Sequence, residues 1–147
     1  MGELRLEPRK ALGQNFLIDG NTRDHIVAAA AVQPGDRVLE IGPGLGALTE
    51  GLLAAGARVT GVEKDEVLAA HLARTFAGQA LQILAADALA IDLDALLAGG
   101  LETAVSNLPY SVGSRILVDL FHVAHRPRRI VAMMQLDVAQ RLVARPG

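Results

Sequence analysis

The stretch that most limits what this chain can become is Val38-Leu-Glu-Ile-Gly-Pro-Gly-Leu-Gly46. Branched apolar residues run into glycines at positions 42, 44 and 46, and Ala47 to Leu53 then take up the apolar spacing of a helix. This is the pattern of a strand, a tight turn and a helix, in which missing Cβ atoms let the backbone approach a small ligand. The residues before it read as a lead-in, and those after Leu53 as further strands whose loops complete the same pocket.

Met1 to Arg9 lacks periodicity and reads as a mobile arm. Gly13-Gln-Asn15 is a turn signal, succeeded by Phe16, Leu17 and Ile18. Asp19 or Asn21 can cap a helix through Ile26, Val27 and the alanine run, which Pro34-Gly35 ends. Strands are expected at Val38 to Ile41, Arg58 to Val62, Leu81 to Ala86, Glu102 to Ser106 and Arg129 to Met134. Between them, helices are expected from Asp65 to about Ala77, with Val67, Leu68, His71 and Leu72 at helical spacing, and from Leu93 to a stop at Gly99-Gly100. Another runs from about Ser114 to Val123, and Asp137 opens a last one. Such alternation implies an open α/β sheet with parallel strands and right-handed crossovers. Gly42 to Gly46, Glu63, Asp87 and Asn107 to Tyr110 each fall where a strand should end, the edge at which such sheets bind ligands.

A chain of 147 residues with 51% hydrophobic content can bury a core as one domain. The absence of cysteine rules out a disulfide framework and thiolate metal sites. His25, His71, His122 and His125 are scattered, with only the last two sharing a helical face, so no metal is expected. No apolar run of membrane-spanning length occurs, which points to a soluble cytoplasmic protein with no membrane partner. Acids outnumber bases from Asp36 to Glu102, whereas Arg115, Arg126, Arg128, Arg129, Arg141 and Arg145 dominate the last third. That asymmetry suits an anionic partner on one side of the domain, with Arg126 to Arg129 supplying a salt-dependent part of its binding; ordinary solvated arginines would look the same.

A glycine-rich turn alone would suit a dinucleotide as well. The Gly-x-Gly-x-Gly spacing differs from the Gly-x-Gly-x-x-Gly that sets a helix against pyrophosphate. Glu40 places a carboxylate near the pocket, which disfavours phosphate and tolerates a cation. Glu63, about twenty residues beyond the first glycine, stands where an acid can accept both hydroxyl protons of a ribose. Asp87 could accept an exocyclic amine such as that of adenine, or simply form a turn. An adenosine that carries a positive charge and no phosphate describes S-adenosylmethionine. In Asn107-Leu-Pro-Tyr110, an amide oxygen and a carbonyl held by proline can both accept from one exocyclic NH2, while an aromatic ring stacks on its base. Two such acceptors localise the amine lone pair and aim it at a methyl group, so orientation supplies much of the rate.

Gln14-Asn-Phe-Leu17, Glu40-Ile-Gly-Pro-Gly-Leu-Gly46, Asn107-Leu-Pro-Tyr110 and Met134-Gln-Leu-Asp-Val-Ala-Gln-Arg141 together resemble the ordered motifs of the rRNA adenine N6,N6-dimethyltransferases, above all the small-subunit branch. The resemblance implies a Rossmann-like class I S-adenosylmethionine-dependent methyltransferase fold. It implies transfer of methyl groups to N6 of two adjacent adenines in a small-subunit (16S) rRNA hairpin, by a monomer acting on a pre-ribosomal particle. By the same resemblance Asn15 and Leu17 close over the cofactor, Gly42 approaches its methionine part, Glu63 holds its ribose and Asp87 its adenine amine. Asn107 touches cofactor and target, and Pro109 and Tyr110 hold the target base.

Departures from the family pattern occur at Gly113-Ser-Arg115, where a Ser/Thr pair and proline are frequent, and at Leu136-Asp137, where Lys-Glu is usual. Arg115 could then contact phosphate. Residues 1–35 are expected to form the N-terminal arm and cofactor-covering helix, and residues 36–147 an incomplete catalytic domain lacking the last strands and the small C-terminal helical domain. Ile130 and Val131 would then be left on an exposed edge. The rival readings are the sister branch that methylates large-subunit rRNA, a DNA adenine methyltransferase, and a ribosome-assembly factor in which RNA binding matters more than catalysis.

Overall fold

The computed structural model describes residues 20–107 and 110–133, the side chains of residues 107, 110–114 and 133 excepted. Helix and strand alternate along it: α1 (Gly20–Ala30), β1 (Arg37–Ile41), α2 (Ala47–Ala54), β2 (Arg58–Glu63), α3 (Glu66–Thr75), β3 (Leu81–Ala85), α4 (Leu93–Leu97), β4 (Thr103–Asn107), α5 (Tyr110–His122) and β5 (Arg129–Met133). Phe16 to Ile18, Leu108, Pro109 and the helix expected from Asp137 lie outside the described residues.

The strands form one sheet in the order β3-β2-β1-β4-β5, every adjacent pair parallel. Side chains alternate across a strand, so each strand feeds two cores. Leu39, Ile41, Val62 and Ala104 meet Leu93 and Leu97 of α4 and Ile116 and Leu120 of α5. On the opposite face Val38, Val59 and Val105 meet Ile26 and Ala30 of α1 and Leu48 and Leu52 of α2. Each fully buried leucine or valine contributes roughly 1.5–3 kcal/mol relative to an exposed one. Ile130 and Val131 are partly buried, one packed against each core, while β5 is an edge strand of the sheet among the described residues, paired only with β4.

Two local expectations are corrected. Helix α5 begins at Tyr110 rather than near Ser114; a proline just before the first helical residue suits helix entry, and Gly113 is absorbed in the first turn. In α3 the buried stripe is Leu68, Ala69 and Leu72, whereas Val67 is 54% exposed. Asp65 accepts from the Val67 and Leu68 N–H groups at 2.8 and 3.1 Å, and this cap fixes the helix start so that Val67 points outward.

Helix α1 lies close against α2 because Gly51 has no side chain. A Cβ there would stand 2.9 Å from Val27 Cγ2 and 3.2 Å from Arg23 Cδ. Replacing Gly51 with Leu should lower stability by about 1–3 kcal/mol through overpacking, measured by urea denaturation. An unchanged midpoint would mean that α1 does not sit on α2 in solution.

Candidate cofactor and active site

Because all five strands run the same way, their carboxyl ends share one rim, and the loops after β1, β2 and β3 gather there beside the carboxyl end of β4. The chain goes to one side of β1 for β2 and β3 and to the other for β4 and β5, which makes the gap between β1 and β4 a topological switch point. Open α/β sheets bind ligands at such a crevice.

The turn after β1 is shaped by glycine. Gly42, Gly44 and Gly46 have φ of 75°, 60° and 93°, values that cost other L-residues roughly 1–2 kcal/mol each. Gly42 N donates to Val62 O at 2.9 Å, and Gly44 N donates to Glu63 Oε1 at 2.9 Å. The turn is therefore tied to the end of β2. At Gly46 a Cβ would come within 2.9 Å of both Leu72 and Phe76, so α3 packs where no side chain fits.

Glu63 is buried, with 7% of its surface exposed. Its Oε2 accepts from Asp65 N at 2.9 Å, so two backbone N–H groups hold the carboxylate in one orientation. Each carboxylate oxygen has two acceptor sites, which leaves one on either oxygen, the requirement for pairing with two vicinal hydroxyls. Asp87 lies just beyond β3 and is a turn former: its Oδ1 accepts from Leu89 N at 2.9 Å, and its carbonyl from Ala90 and Ile91 N at 2.8 and 3.1 Å. Its Oδ2 stands 3.8 Å from Lys64 Nζ in an exposed setting, a weak pair. The turn role thus occupies one oxygen and leaves the other able to accept from an amine. Asn107 closes β4, and Tyr110 opens α5. Asn15, Leu17 and Pro109 fall outside the described residues.

The chain matches the family model for ribosomal RNA adenine dimethylases over residues 5–147. It belongs to that family. It is 48% identical, over 97% of its own length, to the ribosomal RNA small subunit methyltransferase A of Deinococcus radiodurans, of which it covers 48%. The chain therefore spans about half the length of the curated relatives it matches. A dimethyladenosine transferase from Plasmodium falciparum superposes with TM-score 0.75 at 26% identity, over 88% of this chain and 46% of that one. The 23S rRNA methyltransferase ErmE does so with TM-score 0.69 at 30% identity, over 85% of this chain and 50% of that one. The class I methyltransferase fold expected from the motifs is thereby established.

Within this family fold Glu40 is not where the motif suggests. It lies on the strand face shared with Val38, is 1% exposed, and points into the domain toward α2. There Thr49 Oγ1 donates to Glu40 Oε1 at 2.5 Å. Thr49 is a buried partner of Glu40 that the motifs do not announce, although a signal for it exists. An acid at a core-facing strand position needs a donor, and Thr49 is the one hydroxyl between Ala47 and Ala54. Burial pushes the Glu40 carboxyl from 4.5 up to about 7, with the Thr49 hydrogen bond opposing and the nearby Glu63 charge adding to the rise. Beneath the glycine turn there are thus two carboxyl groups whose mutual repulsion a cationic ligand would relieve.

Among the described residues no group of three or more potential metal ligands gathers. His125 is not on the helical face expected for it. Helix α5 ends at His122, and His125 binds Asp94 Oδ1 through its ring at 3.0 Å and its backbone N at 2.7 Å. Arg115 reaches Asp119 at 3.5 Å one helical turn away.

A carboxyl whose folded-state value lies above its unfolded one stabilises the fold most below about pH 4.5, and that contribution fades as pH rises through about 7. The loss is on the order of 3 kcal/mol. Glu40→Gln should remove this pH-dependent component. Urea denaturation at about pH 5 and about pH 8 should show a larger fall in stability for the parent chain than for the variant. Equal falls would mean that Glu40 is ionised in the folded state throughout.

Proposed function

We propose that this chain binds S-adenosylmethionine at the carboxyl rim of the sheet and serves methyl transfer to N6 of two adjacent adenines in a small-subunit rRNA hairpin. The observation that carries the reading is the pairing of β1 with β4: the strand that ends in the glycine turn lies directly beside the strand that leads into Asn107-Leu-Pro-Tyr110. On this reading the cofactor-binding and amine-binding groups meet at the switch point. Identity of 48% to a small-subunit enzyme, against 30% to a 23S enzyme, favours small-subunit rRNA over the large-subunit alternative.

The residues present fit the cofactor. Glu63 offers one acceptor on each oxygen to the ribose hydroxyls, Asp87 Oδ2 accepts the adenine amine, and Gly42 admits the methionine portion. The acid pair Glu40 and Glu63 complements its positive charge. Asn15 and Leu17 close over it, with residues 1–35 forming the arm and covering helix and residues 36–147 the catalytic part of one domain. When bound, S-adenosylmethionine supplies an electrophilic methyl group on a sulfonium.

The chain's own residues then prepare the nucleophile. The Asn107 side-chain oxygen and a carbonyl held by Pro109 accept hydrogen bonds from the adenine N6 amine, and Tyr110 stacks on the base. These acceptors favour a tetrahedral nitrogen, localise its lone pair and orient it. No strong general base is required, since the proton leaves after nitrogen has become cationic. The setting proposed is a cytoplasmic monomer on a pre-ribosomal particle; among the described residues no helix is long and apolar enough to cross a membrane.

Calorimetric titration with S-adenosylmethionine, with NAD in parallel, tests the first half. Saturable binding of the methyl donor alone, weakened tenfold or more by Glu63→Ala, is expected; that loss corresponds to about 1.4 kcal/mol. Binding of NAD instead would overturn the assignment. Methyl incorporation into under-methylated small-subunit particles, and none into large-subunit particles, tests the second half. An Asn107→Ala variant that keeps particle binding while losing transfer would separate catalysis from assembly.

A further inference from the structure

The opposite rim of the sheet has a different chemistry. At the amino ends of the strands, register sets Arg37 of β1 directly beside Arg58 of β2. Like charges opposed on neighbouring strands destabilise a sheet, and neither side chain has a carboxylate partner among the described residues. The nearest acids are occupied elsewhere. Asp36 Oδ2 accepts from Gln33 N at 2.9 Å. Glu102 takes the Arg37 backbone N–H at 3.3 Å on one oxygen and Arg128 Nη2 at 3.4 Å on the other.

Arg37 is also held in place. Its Nη1 donates to Gly99 O at 2.6 Å, and its guanidinium lies over the α4–β4 turn, where a Cβ on Gly100 would meet it at 3.2 Å. One of its five N–H donors is used and the rest remain. Beside the two arginines lies a groove of about 550 Å³ whose lining joins Thr60, Gln79 and Gln82 to apolar residues such as Leu84 and Leu96 and contains no acidic side chain. In a chain with 16 acids against 14 lysines and arginines, an acid-free groove framed by two arginines is a local concentration of positive charge and hydrogen-bond donors.

We propose that this groove is a second RNA contact, receiving the phosphodiester backbone of the substrate RNA at the rim opposite the methyl-transfer site. The inference rests on the RNA-methylating function proposed above. Guanidinium forks match phosphate oxygens, and the hydroxyl and amides suit further phosphate and ribose contacts, which position RNA without reading its sequence. The length of β1 from Arg37 to Ile41 places the two arginines roughly 13 Å from the carboxyl rim, at about 3.3 Å per residue. The RNA bound here is therefore a segment other than the target adenines, gripped while the hairpin is presented at the far edge.

The test is fluorescence anisotropy of a labelled RNA duplex with this chain over a series of KCl concentrations, for the parent, Arg58→Gln, Arg58→Glu and the Arg37→Gln/Arg58→Gln pair. Arg58 makes no polar side-chain contact among the described residues, so its variants should fold and keep S-adenosylmethionine binding, read by calorimetry on the same samples. Arg58→Gln should lower the slope of log affinity against log salt by close to 1, and the pair by close to 2; Arg58→Glu should weaken binding further. Unchanged affinity and slope in all three, with the parent binding RNA normally, would overturn the groove while leaving the methyltransferase reading intact. Displacement of the RNA by inorganic phosphate at constant ionic strength would also overturn it, in favour of a small-anion site. A parent chain that binds no RNA would remove the functional reading and the groove together.

Discussion

The glycine turn has its shape because Glu63 holds it. A carboxylate at the end of β2 accepts from Gly44 across the rim and from Asp65 at the start of the next loop, so one side chain fixes two loops, the first of them nineteen residues away in the chain. Without it the turn would keep its positive φ values and the Gly42 N–H bond to Val62 O, but lose the second tie to β2, from Gly44. The same orientation leaves the outer acceptor sites of Glu63 free. The backbone N–H groups that shape the turn therefore also set the orientation that the proposed binding role of Glu63 requires.

Glu40 stands beneath this arrangement and changes its electrostatics. Two carboxyl groups close together cannot both ionise cheaply where water is excluded, and Thr49 stabilises only one of them directly. The neutral form of Glu40 relaxes the site when no cation is bound. A positive ligand near both would lower the cost of ionising Glu40.

Much of this is legible in the sequence. The described strands and helices can be anticipated, since periodicity, Gly-Pro breaks and the glycine turn are local signals. So can the placing of Gly42, Glu63, Asp87 and Asn107 at strand ends. The points that the sequence misplaces share a cause: they depend on which way a side chain faces once the sheet has formed. Glu40 reads as facing the ligand and lies toward α2. Val67 reads as core and lies outside because the Asp65 cap sets the phase of α3. Arg126 to Arg129 read as a single basic cluster, but Arg128 is turned to Glu102 and Arg129 Nη1 donates to Ala30 O at 3.1 Å. Arg37 and Arg58, isolated in the sequence, become neighbours only through the parallel register.

That register also separates charge along the strands. The carboxyl rim carries Glu63, Asp65 and Asp87 beside Lys64, with Glu40 below, while Arg58, Arg37, Arg128 and Arg129 outnumber Asp36 and Glu102 at the amino rim. An acidic rim attracts a cationic cofactor and repels a polyanion. On the function proposed, RNA would gain little from the immediate surroundings of the cofactor, and its affinity would come from surfaces further away. Such a division has a chemical advantage. Contacts to a distant backbone are the same before and after each methyl transfer, so they keep the substrate engaged while the amine at the catalytic rim changes its substitution and its hydrogen bonds. Binding strength and reaction geometry can then be set by different ends of the same strands.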